Sequence, residues 1–503
     1  MTAFDMGTTY TKVGGVDPSG KPNVVPNDRG EHSTPSAVWV SETGSPLFGI
    51  PAIEQGYLQP GRLASNFKLD LAKPGSILKE GPDVTAVDAA TLLVGHVKDI
   101  AERATGKAIT ECVATCPANY LDDNKQALLE AFQRNSIQVQ HLMPEPTAAA
   151  FAYAVHQQHD DRTLLVYDFG GGTLDVTVAR TDGDEIRVLA TDGVRQLGGN
   201  DLNRCLENRL LDELEAKCGK RPTPEDDPLF AYDLRQRVEQ AKISLATRAQ
   251  VPVVLAYDGT QVICEVTRDE FHQLIRPLVD QSLESLDRAV AGAGLTIDKI
   301  DHLILVGGTS RLPHIQEAVA QHTGLAPKTD IDPEKAIAYG AALASLSELA
   351  RQGRHATIRG QVIPAPNMFV RDVTAHHVGC CVVDTSTSAR RLSNSVIIPQ
   401  NTPIPCRKTD RFFLEHADQP QARIEILQGD PNADRDDCLL IGELLLDDLP
   451  EEERATARIQ VEYMIDGNGM VTATATDLVS NKQQTVSVDY KKGIKTSEKP
   501  AAA

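Results

Sequence analysis

The chain has 503 residues, and its 70 acidic against 50 basic side chains give a formal net charge of −20. Hydrophobic residues make up 41% of the sequence and charged residues 24%, which is ordinary for a folded protein and excludes wholesale disorder. At about 100–200 residues per domain, the length predicts about three compact units. Such acidity argues against non-specific binding to nucleic acid, and no apolar run approaches the roughly 18 residues of a membrane span, so we expect neither partner.

The N-terminus and the cysteines indicate a reducing, cytoplasmic location. Residues 1–5 lack a basic leader and a long apolar core, so we expect no secretory signal. Nine cysteines are too few for a disulfide framework in a chain of this length, and none forms a C-x-x-C pair. Cys112 and Cys116 are predicted on one face of a strand, and Cys380 and Cys381 on opposite faces of another. We interpret them as small buried hydrophobic residues and not as metal ligands.

The most informative feature of the chain is an internal repeat. Residues 4–9 (FDMGTT) recur as residues 167–173 (YDFGGGT), and each copy runs on into a β-rich segment. We therefore predict two strand–turn–strand units from a duplicated subdomain. Neither copy carries the lysine of a P-loop, which counts against a strand-to-helix phosphate loop.

The repeated turns predict a phosphate site. Successive backbone N–H groups of a turn rich in Gly and Thr cradle phosphate oxygens, and two facing turns would hold a polyphosphate from both sides. Asp5 and Asp168 end the strands before the turns, where a phosphate-bound Mg²⁺ needs oxygen ligands, through waters. A single such loop would be an ordinary hairpin; two matched copies favour the phosphate site.

A third glycine motif lies at residues 303–313 (LILVGGTSRLP), which we predict as a buried strand, a glycine pair and a helix start. Without side chains at Gly307 and Gly308, the backbone there could receive a flat base or a ribose. Many α/β proteins contain such a turn, so the motif alone is weak evidence for a nucleotide site. It becomes informative as a third element beside the two repeated turns.

The pattern of predicted secondary structure changes after about residue 350. Before it, strand-like runs such as 164–167 alternate with helix-like stretches such as 230–245, which predicts an α/β architecture. Prolines and glycines at 350–371 predict a connector. Short alternating runs beyond it, for example 423–427 and 471–476, predict an all-β module of about 120 residues.

Further segments make the chain resemble the 70-kDa heat-shock (Hsp70) chaperones, within the actin and sugar-kinase ATPase superfamily. Residues 144–150 (PEPTAAA) resemble the NEPTAAA segment of that family, residues 197–201 (LGGND) its LGGED, and residues 332–342 its second connecting helix. The resemblance continues in order to about residue 490. It implies an actin-like two-lobed α/β ATPase domain at 1–360, a linker at 361–371, a β-sandwich that binds extended hydrophobic peptides at 372–490, and a polar tail at 491–503.

The resemblance also implies roles for residues of the cleft. Lys68 matches the essential lysine of the family, where its charge would hold the γ-phosphate and the attacking water; on its own it would be interpreted as a surface lysine. The residues implied for catalysis and for Mg²⁺ are Asp5, Lys68, Glu145, Asp168 and Asp175. The residues implied for ATP binding are Thr8, Thr9, Gly170, Gly171, Gly172, Thr173, Gly198, Gly199, Glu239, Lys242, Gly307, Gly308 and Arg311. Glu239 and Lys242 would bracket adenine and ribose, and without the resemblance they would be an exposed helical face.

The sequence departs from the family where the domains are coupled. Pro117 matches the proline switch of the family, but the arginine that relays from it is Lys125, which cannot make a planar bidentate contact. The linker aspartate is kept as Asp372, whereas Arg371 brings a charge into a segment expected to dock in an apolar groove. On the face used for J-protein docking, His141 and Pro144 replace an arginine and an asparagine.

The peptide groove is altered too. The positions that line it in the family align with Cys380, Val382, Val383, Ala422 and Ile424, all apolar, for which plain sandwich core is the alternative interpretation. The polar tail stands where the family continues into a helical lid, so we expect a lidless or truncated form that releases peptide faster.

Two functions remain open, and a third is disfavoured. We predict an ATP-dependent stress chaperone that binds hydrophobic segments of unfolded proteins and releases them on ATP binding, using ATP and Mg²⁺, with a J-domain co-chaperone and a nucleotide exchange factor as partners. The alternative is a regulatory or holdase-type relative that binds ATP but is weakly coupled to peptide binding. A small-molecule kinase would share the phosphate loops, but the β-module after the linker counts against it.

Overall fold

The computed structural model describes residues 2–157, 161–224, 226–358, 360–384, 391–416, 418–451 and 457–487. Contacts divide the chain into two compact units, Met1–Asn119 with Ala127–Arg371, and Tyr120–Gln126 with Asp372–Ala503. The polar tail predicted at 491–503 lies outside the described residues. Among the helices that the structure describes, none is both long enough and apolar enough to cross a bilayer.

The first unit contains two six-stranded sheets and several short ones. Its strands are β1 (Thr2–Met6), β2 (Tyr10–Val16), β3 (Pro22–Val24), β4 (Thr34–Pro35), β5 (Ala37–Val40), β6 (Pro46–Phe48), β7 (Leu63–Ser65), β8 (Glu111–Cys116), β9 (Gln138–Pro144), β10 (Thr163–Phe169), β11 (Leu174–Asp182), β12 (Glu185–Val194), β13 (Gln250–Tyr257), β14 (Thr260–Thr267), β15 (His302–Val306), β16 (Pro327–Lys328), β17 (Thr357–Ile358), β18 (Gln361–Val362) and β19 (Phe369–Arg371).

Helices alternate with these strands, as the predicted α/β texture requires. They are α1 (Gly49–Gly56), α2 (Ala86–Thr105), α3 (Asp122–Gln133), α4 (Glu145–His156), α5 (Gly199–Cys218), α6 (Pro228–Leu245), α7 (Arg268–Gly292), α8 (Pro313–Thr323) and α9 (Ala336–Arg351). The periodic stretch predicted at 230–245 is α6.

The internal repeat is visible in the sheet topology. One sheet has the order β3-β2-β1-β8-β9, with β4 also paired to β2, and the other has the order β16-β15-β10-β11-β12-β19. In the first, β1 pairs antiparallel with β2 and parallel with β8; in the second, β10 pairs antiparallel with β11 and parallel with β15. The predicted strand–turn–strand duplication is therefore confirmed.

One apolar core joins the two halves of the first unit. It contains side chains of both six-stranded sheets together with the alanine-rich α4 and α9. The two helices approach closely because Gly340 of α9 has no side chain: a Cβ there would collide with the Ala148 carbonyl. Because the two halves share this core, they count as one compact unit, and the chain has two compact units where its length predicted about three. The second six-stranded sheet packs its other face against α5–α8 and the β13–β14 hairpin.

The second unit contains two four-stranded antiparallel sheets. Its strands are β20 (Val378–Asp384), β21 (Arg391–Ile398), β22 (Cys406–Phe412), β23 (Ala422–Gln428), β24 (Leu439–Leu446), β25 (Ile459–Ile465), β26 (Val471–Asp477) and β27 (Gln483–Ser487). The sheets have the orders β21-β20-β23-β24 and β22-β25-β26-β27, and apolar side chains of both contribute to one core. Alternate residues of β26 are buried, which is the period-2 pattern that predicted the strand.

The connector predicted at 350–371 is more ordered than its prolines suggest. Its last residues form β19, which pairs in parallel with β12, so that Arg371 lies opposite Arg187. Met368 is buried in the shared core of the first unit. The charge of Arg371 is compensated, because its Nε lies 2.9 Å from Glu185 Oε1. The segment therefore pairs with β12 in spite of this charge, while its docking in an apolar groove stays a prediction.

All nine cysteines are free thiols. Cys112 and Cys116 are buried on β8 and Cys380 is buried on β20, whereas Cys381 is partly exposed. Among the described residues, no three His, Cys, Asp or Glu side chains come together as direct ligands of one metal ion. The burial of Cys112, Cys116 and Cys380 agrees with their interpretation as small apolar residues.

Candidate active site

The first predicted phosphate loop is the turn between β1 and β2. The Gly7 N–H donates to the Tyr10 carbonyl across the turn at 3.0 Å, and a Cβ on Gly7 would collide with that carbonyl. Thr8 is buried and Thr9 is exposed. The turn can be this tight only because residue 7 is glycine.

The second loop, between β10 and β11, has the same construction. A backbone hydrogen bond of 3.0 Å from Gly170 to Thr173 closes it. The two loops face each other. A Cβ on Gly171 would collide with the Thr9 hydroxyl, and a Cβ on Gly172 would lie 2.9 Å from the methyl group of Thr8. The predicted juxtaposition of the two loops is present in the structure.

The N-terminus of α5 joins the second loop. The Gly199 N–H donates to the Gly170 carbonyl at 3.0 Å, and the Asn200 N–H donates to the Gly171 carbonyl at 2.8 Å. A Cβ on Gly198 would collide with the Gly171 backbone, so the helix approaches the loop only because this residue is glycine. A helix N-terminus favours anions, and α5 adds this preference to the loops.

Four carboxylates are buried behind the loops. Their exposed fractions are 3% for Asp5, 7% for Glu145, 4% for Asp168 and 0% for Asp175. Asp5 accepts a hydrogen bond from the Thr115 hydroxyl at 3.2 Å. Such a concentration of buried negative charge is unfavourable without cations beside it.

Lys68 supplies one of these cations. Its Nζ lies 2.5 Å from Glu145 Oε1, and both side chains are buried. Burial alone would lower the pKa of Lys68, but the carboxylates of Glu145 and Asp5 outweigh it and raise the pKa above its usual value. Burial raises the pKa of Glu145, and Lys68 opposes this shift. Lys68 therefore keeps its positive charge in the site.

The two aspartates of the second hairpin have free oxygens. Burial, followed by the charges of Glu145 and of Asp175, raises the pKa of Asp168 well above its usual value. Burial and Glu145 raise the pKa of Asp175 to about 7. Asp175 Oδ1 accepts the Asn119 N–H at 3.1 Å, but Asp175 Oδ2 and Asp168 Oδ2 are buried and accept no hydrogen bond from any residue that the structure describes. Unsatisfied carboxylate oxygens of this kind fit a hydrated Mg²⁺, which prefers oxygen ligands and keeps several waters.

The residues predicted to bind adenosine lie next to the second loop. Lys242 Nζ contacts Glu239 Oε2 at 2.8 Å and donates to the Gly199 carbonyl at 3.3 Å. Lys242 is buried, unlike a lysine on a solvated helical face. The Thr309 hydroxyl donates to the Gly170 carbonyl at 2.7 Å, which ties the third glycine motif to the same loop.

The third motif is a strand, a glycine pair and a helix start, as predicted. β15 ends at Val306, Gly307 has a φ of 83°, and a 3-10 turn, Thr309–Arg311, leads into α8. No atom lies within 4 Å of a Cβ placed on Gly308, so the backbone there borders open space. Arg311 is exposed and pairs with Glu334 at 2.6 Å.

The predicted coupling residues lie in different units. Pro117 directly follows β8 in the first unit, and Lys125 belongs to the Tyr120–Gln126 segment of the second, with its ammonium 3.8 Å from Asp122 Oδ1. Asp372 begins the main part of the second unit and is buried, and its Oδ1 accepts the Val373 N–H at 2.8 Å. Their allosteric role stays a prediction.

The positions aligned with the peptide groove are split between core and surface. Cys380, Ala422 and Ile424 are buried within the core shared by the two sheets of the second unit. Val382 and Val383 are partly exposed. Val382 packs against the edge of the same core, and the three buried residues are packed as sandwich core would be.

Sequence reasoning missed several residues that shape the site. Asn119 orients Asp175, Thr309 ties the third motif to the second loop, and the Asn200 side chain donates to Asn66 Oδ1 at 3.1 Å. Lys12 Nζ lies 3.7 Å from Asp5 Oδ2. Two of these residues lie inside motifs already recognised, Asn200 in LGGND and Thr309 in the GGTS turn. Their place in those motifs was the sequence feature that could have identified them as site residues.

A comparison with models of protein families matches residues 76–501 to the family described as Hsp70 protein. The match covers most of the chain, including the second predicted phosphate loop, α5, α6, the third glycine motif and all but the last two residues of the second unit. The first loop and Lys68 precede the matched range, and their place in the site rests on the geometry described above. Members of this family are ATP-binding chaperones with actin-like ATPase lobes. Taken with the duplicated α/β sheets and the facing phosphate loops, the match shows that the chain belongs to the Hsp70 family.

Proposed function

We propose that the chain is an ATP-dependent chaperone that hydrolyses ATP in the first unit and binds hydrophobic peptide segments of unfolded proteins in the second. The observation that carries the proposal is the pair of facing phosphate loops with the Lys68–Glu145 ion pair and the free carboxylate oxygens behind them. This arrangement combines donors for a polyphosphate with groups that act on its terminal phosphoryl group.

The polyphosphate lies between the loops in this proposal. The hydroxyls of Thr8, Thr9 and Thr173 and the backbone N–H groups of Gly171 and Gly172 would donate to its oxygens, with the N-terminus of α5 adding a favourable dipole. Gly198 and Gly199 permit this approach, because any side chain at Gly198 would collide with the second loop. The loops therefore position ATP before any chemistry begins.

Bound Mg²⁺ would neutralise charge on the phosphates and orient them. Asp5 and Asp168 would hold it through waters, since Mg²⁺ usually keeps several of its waters when it binds carboxylates. The free Oδ2 of Asp168 fits this role.

Lys68, Glu145 and Asp175 would act on the reacting atoms. Phosphoryl transfer is catalysed mainly by positioning and by stabilisation of developing charge, and the Lys68 ammonium, held charged by Glu145, supplies that charge at the γ-phosphate. Asp175 is fixed by the Asn119 N–H through one oxygen, so the other is available to hold the attacking water and accept its proton. A pKa of about 7 suits a proton acceptor at neutral pH.

The nucleoside would lie beyond the second loop. Glu239 and Lys242 on α6 would contact the ribose and the base from one side, and Gly307, Gly308 and Arg311 would lie on the other, where open space borders Gly308. Lys242 is already held by the Gly199 carbonyl, which joins the nucleoside end to the phosphate end.

The second unit would be the β-sandwich that receives peptides. Val382 and Val383, partly exposed on β20, would contact the peptide, and Cys380, Ala422 and Ile424 would support the groove from the core. ATP binding would release the peptide and hydrolysis would restore tight binding, through Pro117, Lys125 and Asp372. A J-domain co-chaperone and a nucleotide exchange factor would regulate the cycle.

A second candidate is a holdase-type or regulatory relative whose peptide binding responds little to ATP. The altered docking face favours it: His141 lies on β9, and Pro144 immediately precedes α4. The ion pair of Arg371 with Glu185 favours the coupled chaperone, because it holds the connector segment to β12 in spite of the charge.

The proposal is tested by ATP binding and hydrolysis. Calorimetry with ATP and Mg²⁺ should show one site, and Asp168→Asn and Asp175→Asn should bind ATP but hydrolyse it at least about tenfold more slowly, since each loses a catalytic carboxylate. Asp298→Asn, an exposed aspartate outside the site, is the matched control and should hydrolyse ATP normally. A wild-type chain that binds no ATP would refute the proposal.

A further inference from the structure

We propose that Asn200 is a positioning residue that acts through Asn66 to hold the turn carrying Lys68 in place for phosphoryl transfer. The inference rests on the proposed ATPase function and deepens it, because it assigns the catalytic placement of Lys68 to a hydrogen bond between the two halves of the duplicated unit.

Asn200 is attached to the second phosphate loop by its backbone. It follows Gly199 in the first turn of α5, and its N–H donates to the Gly171 carbonyl at 2.8 Å. The hydrogen bond of Gly199 to the Gly170 carbonyl, at 3.0 Å, fixes the preceding peptide as well. Any movement of the loop therefore moves Asn200 with it.

The side chain of Asn200 reaches a different element. Its Nδ2 donates to Asn66 Oδ1 at 3.1 Å. Asn66 directly precedes the 3-10 turn Phe67–Asp70, which contains Lys68. Its φ of 57° lies in the left-handed region, which asparagine tolerates better than most residues other than glycine. One asparagine thus sets the direction in which the turn leaves β7, and the other holds it there.

A second contact joins the same turn to the same loop. A Cβ on Gly172 would lie 2.7 Å from Leu69 Cδ2, so Leu69 packs directly against the loop backbone. The turn is then held on both sides of Lys68, by Asn66 before it and by Leu69 after it. The Lys68 ammonium is held at its far end by Glu145, at 2.5 Å.

Lysine has a flexible side chain, so its charged end is placed well only if its backbone is placed well. Displacement of a catalytic group by about 1 Å costs on the order of a hundredfold in rate. The Asn200–Asn66 hydrogen bond would act at this point, since it restrains the backbone of the turn and the asparagines themselves need not contact the nucleotide. Its loss should slow the chemical step and leave ATP affinity almost unchanged.

The test measures ATP affinity and single-turnover hydrolysis separately for four variants. Asn200→Ala removes the donor. Asn66→Gly removes the acceptor and keeps the left-handed backbone, so it remains informative if the first variant is destabilised. Each should hydrolyse ATP about fivefold more slowly, the effect of one neutral hydrogen bond, with affinity within about twofold. The double variant should be no slower than either single one. Asn208→Ala, on the exposed face of α5, should leave both quantities unchanged.

Epistasis with Lys68 distinguishes positioning from a general structural role. In a Lys68→Ala background, Asn200→Ala should have no further effect on hydrolysis, because no ammonium remains to be positioned. Three outcomes would overturn the inference while leaving the ATPase function intact. They are an equal further loss of rate in the Lys68→Ala background, additive losses in the Asn200→Ala, Asn66→Gly double variant, and full activity of Asn200→Ala. A wild-type protein that binds ATP without hydrolysing it would refute the proposed hydrolysis, and the inference with it.

Discussion

Replacing Lys68 with alanine tests the chemistry of the site most sharply. The ammonium is the partner of Glu145 at 2.5 Å, in a region that also buries the carboxylates of Asp5, Asp168 and Asp175. If Lys68 supplies one charged donor to the transferring phosphoryl group, its removal should slow hydrolysis about 10²- to 10³-fold, or about 3–4 kcal/mol in the barrier. ATP should still bind, because the loops and α5 provide most of the phosphate donors.

The same substitution has a cost in stability that depends on pH. A buried carboxylate that loses its partner and stays charged is destabilised by about 3–5 kcal/mol. Burial already raises the pKa of Glu145, and loss of Lys68 raises it further, so the folded variant binds a proton that the unfolded chain releases. The stability deficit of Lys68→Ala should therefore be smallest below about pH 4.5, the ordinary pKa of a glutamate in the unfolded chain, and grow as the pH rises through the folded pKa.

The assay is release of the γ-phosphate from ATP·Mg by excess protein, with ATP affinity and thermal unfolding measured in parallel. Lys73→Ala is the matched control, an exposed lysine that pairs with Asp70 at 2.6 Å at the end of the same turn. Hydrolysis by Lys68→Ala within threefold of the wild-type rate would remove this lysine from the mechanism. Loss of ATP binding at unchanged stability would show that Lys68 is needed to bind ATP, and would contradict a role confined to the chemical step.

Further substitutions probe the rest of the molecule. Arg458 pairs with Asp477 through two hydrogen bonds of 2.6 and 2.7 Å and holds the pKa of that buried carboxyl well below its usual range. Asp477→Asn should destabilise the second unit by about 3 kcal/mol at pH 7, and the difference from wild type in chemical denaturation should shrink below about pH 4, where the unfolded wild-type aspartate is protonated. Gly340→Ala should lower the stability of the first unit by about 2 kcal/mol, measured by thermal unfolding, because its Cβ collides with the α4 backbone. Arg371→Glu should reduce amide protection of residues 369–371 about threefold in hydrogen exchange, and Glu185→Arg in the same chain should restore it.

Local patterns in the sequence were sufficient to predict the parts of the site that are continuous along the chain. The two loops repeat one motif, and the Gly307–Gly308 turn follows an apolar strand, so period and glycine content predicted strand, turn and helix start. Their facing geometry follows from the duplicated topology of the sheets. These strands and turns are determined mainly by residues that are neighbours in the sequence, so hydrophobic periodicity and glycine content can predict them.

Residues that act through long-range contacts could not be predicted in this way. Nothing near Lys68 in the sequence indicates that it is buried beside Glu145, and only the family resemblance singled it out. Arg371 looked incompatible with an apolar groove because its partner, Glu185, lies far away in the chain. Asn200 stood inside a recognised motif, but its contact with Asn66 depends on the fold.

Coupling of ATP binding to peptide release is tested most directly with a fluorescent, leucine-rich seven-residue peptide flanked by arginines. Its anisotropy on the full chain would be measured without nucleotide, with ADP·Mg and with ATP·Mg, and with ATP·Mg on Lys68→Ala. We expect ATP to weaken peptide binding several-fold and to speed release, in the variant as well, because ATP binding and not hydrolysis drives release. Equal binding with and without ATP would contradict coupling and favour the holdase, and no binding at all would contradict the chaperone assignment.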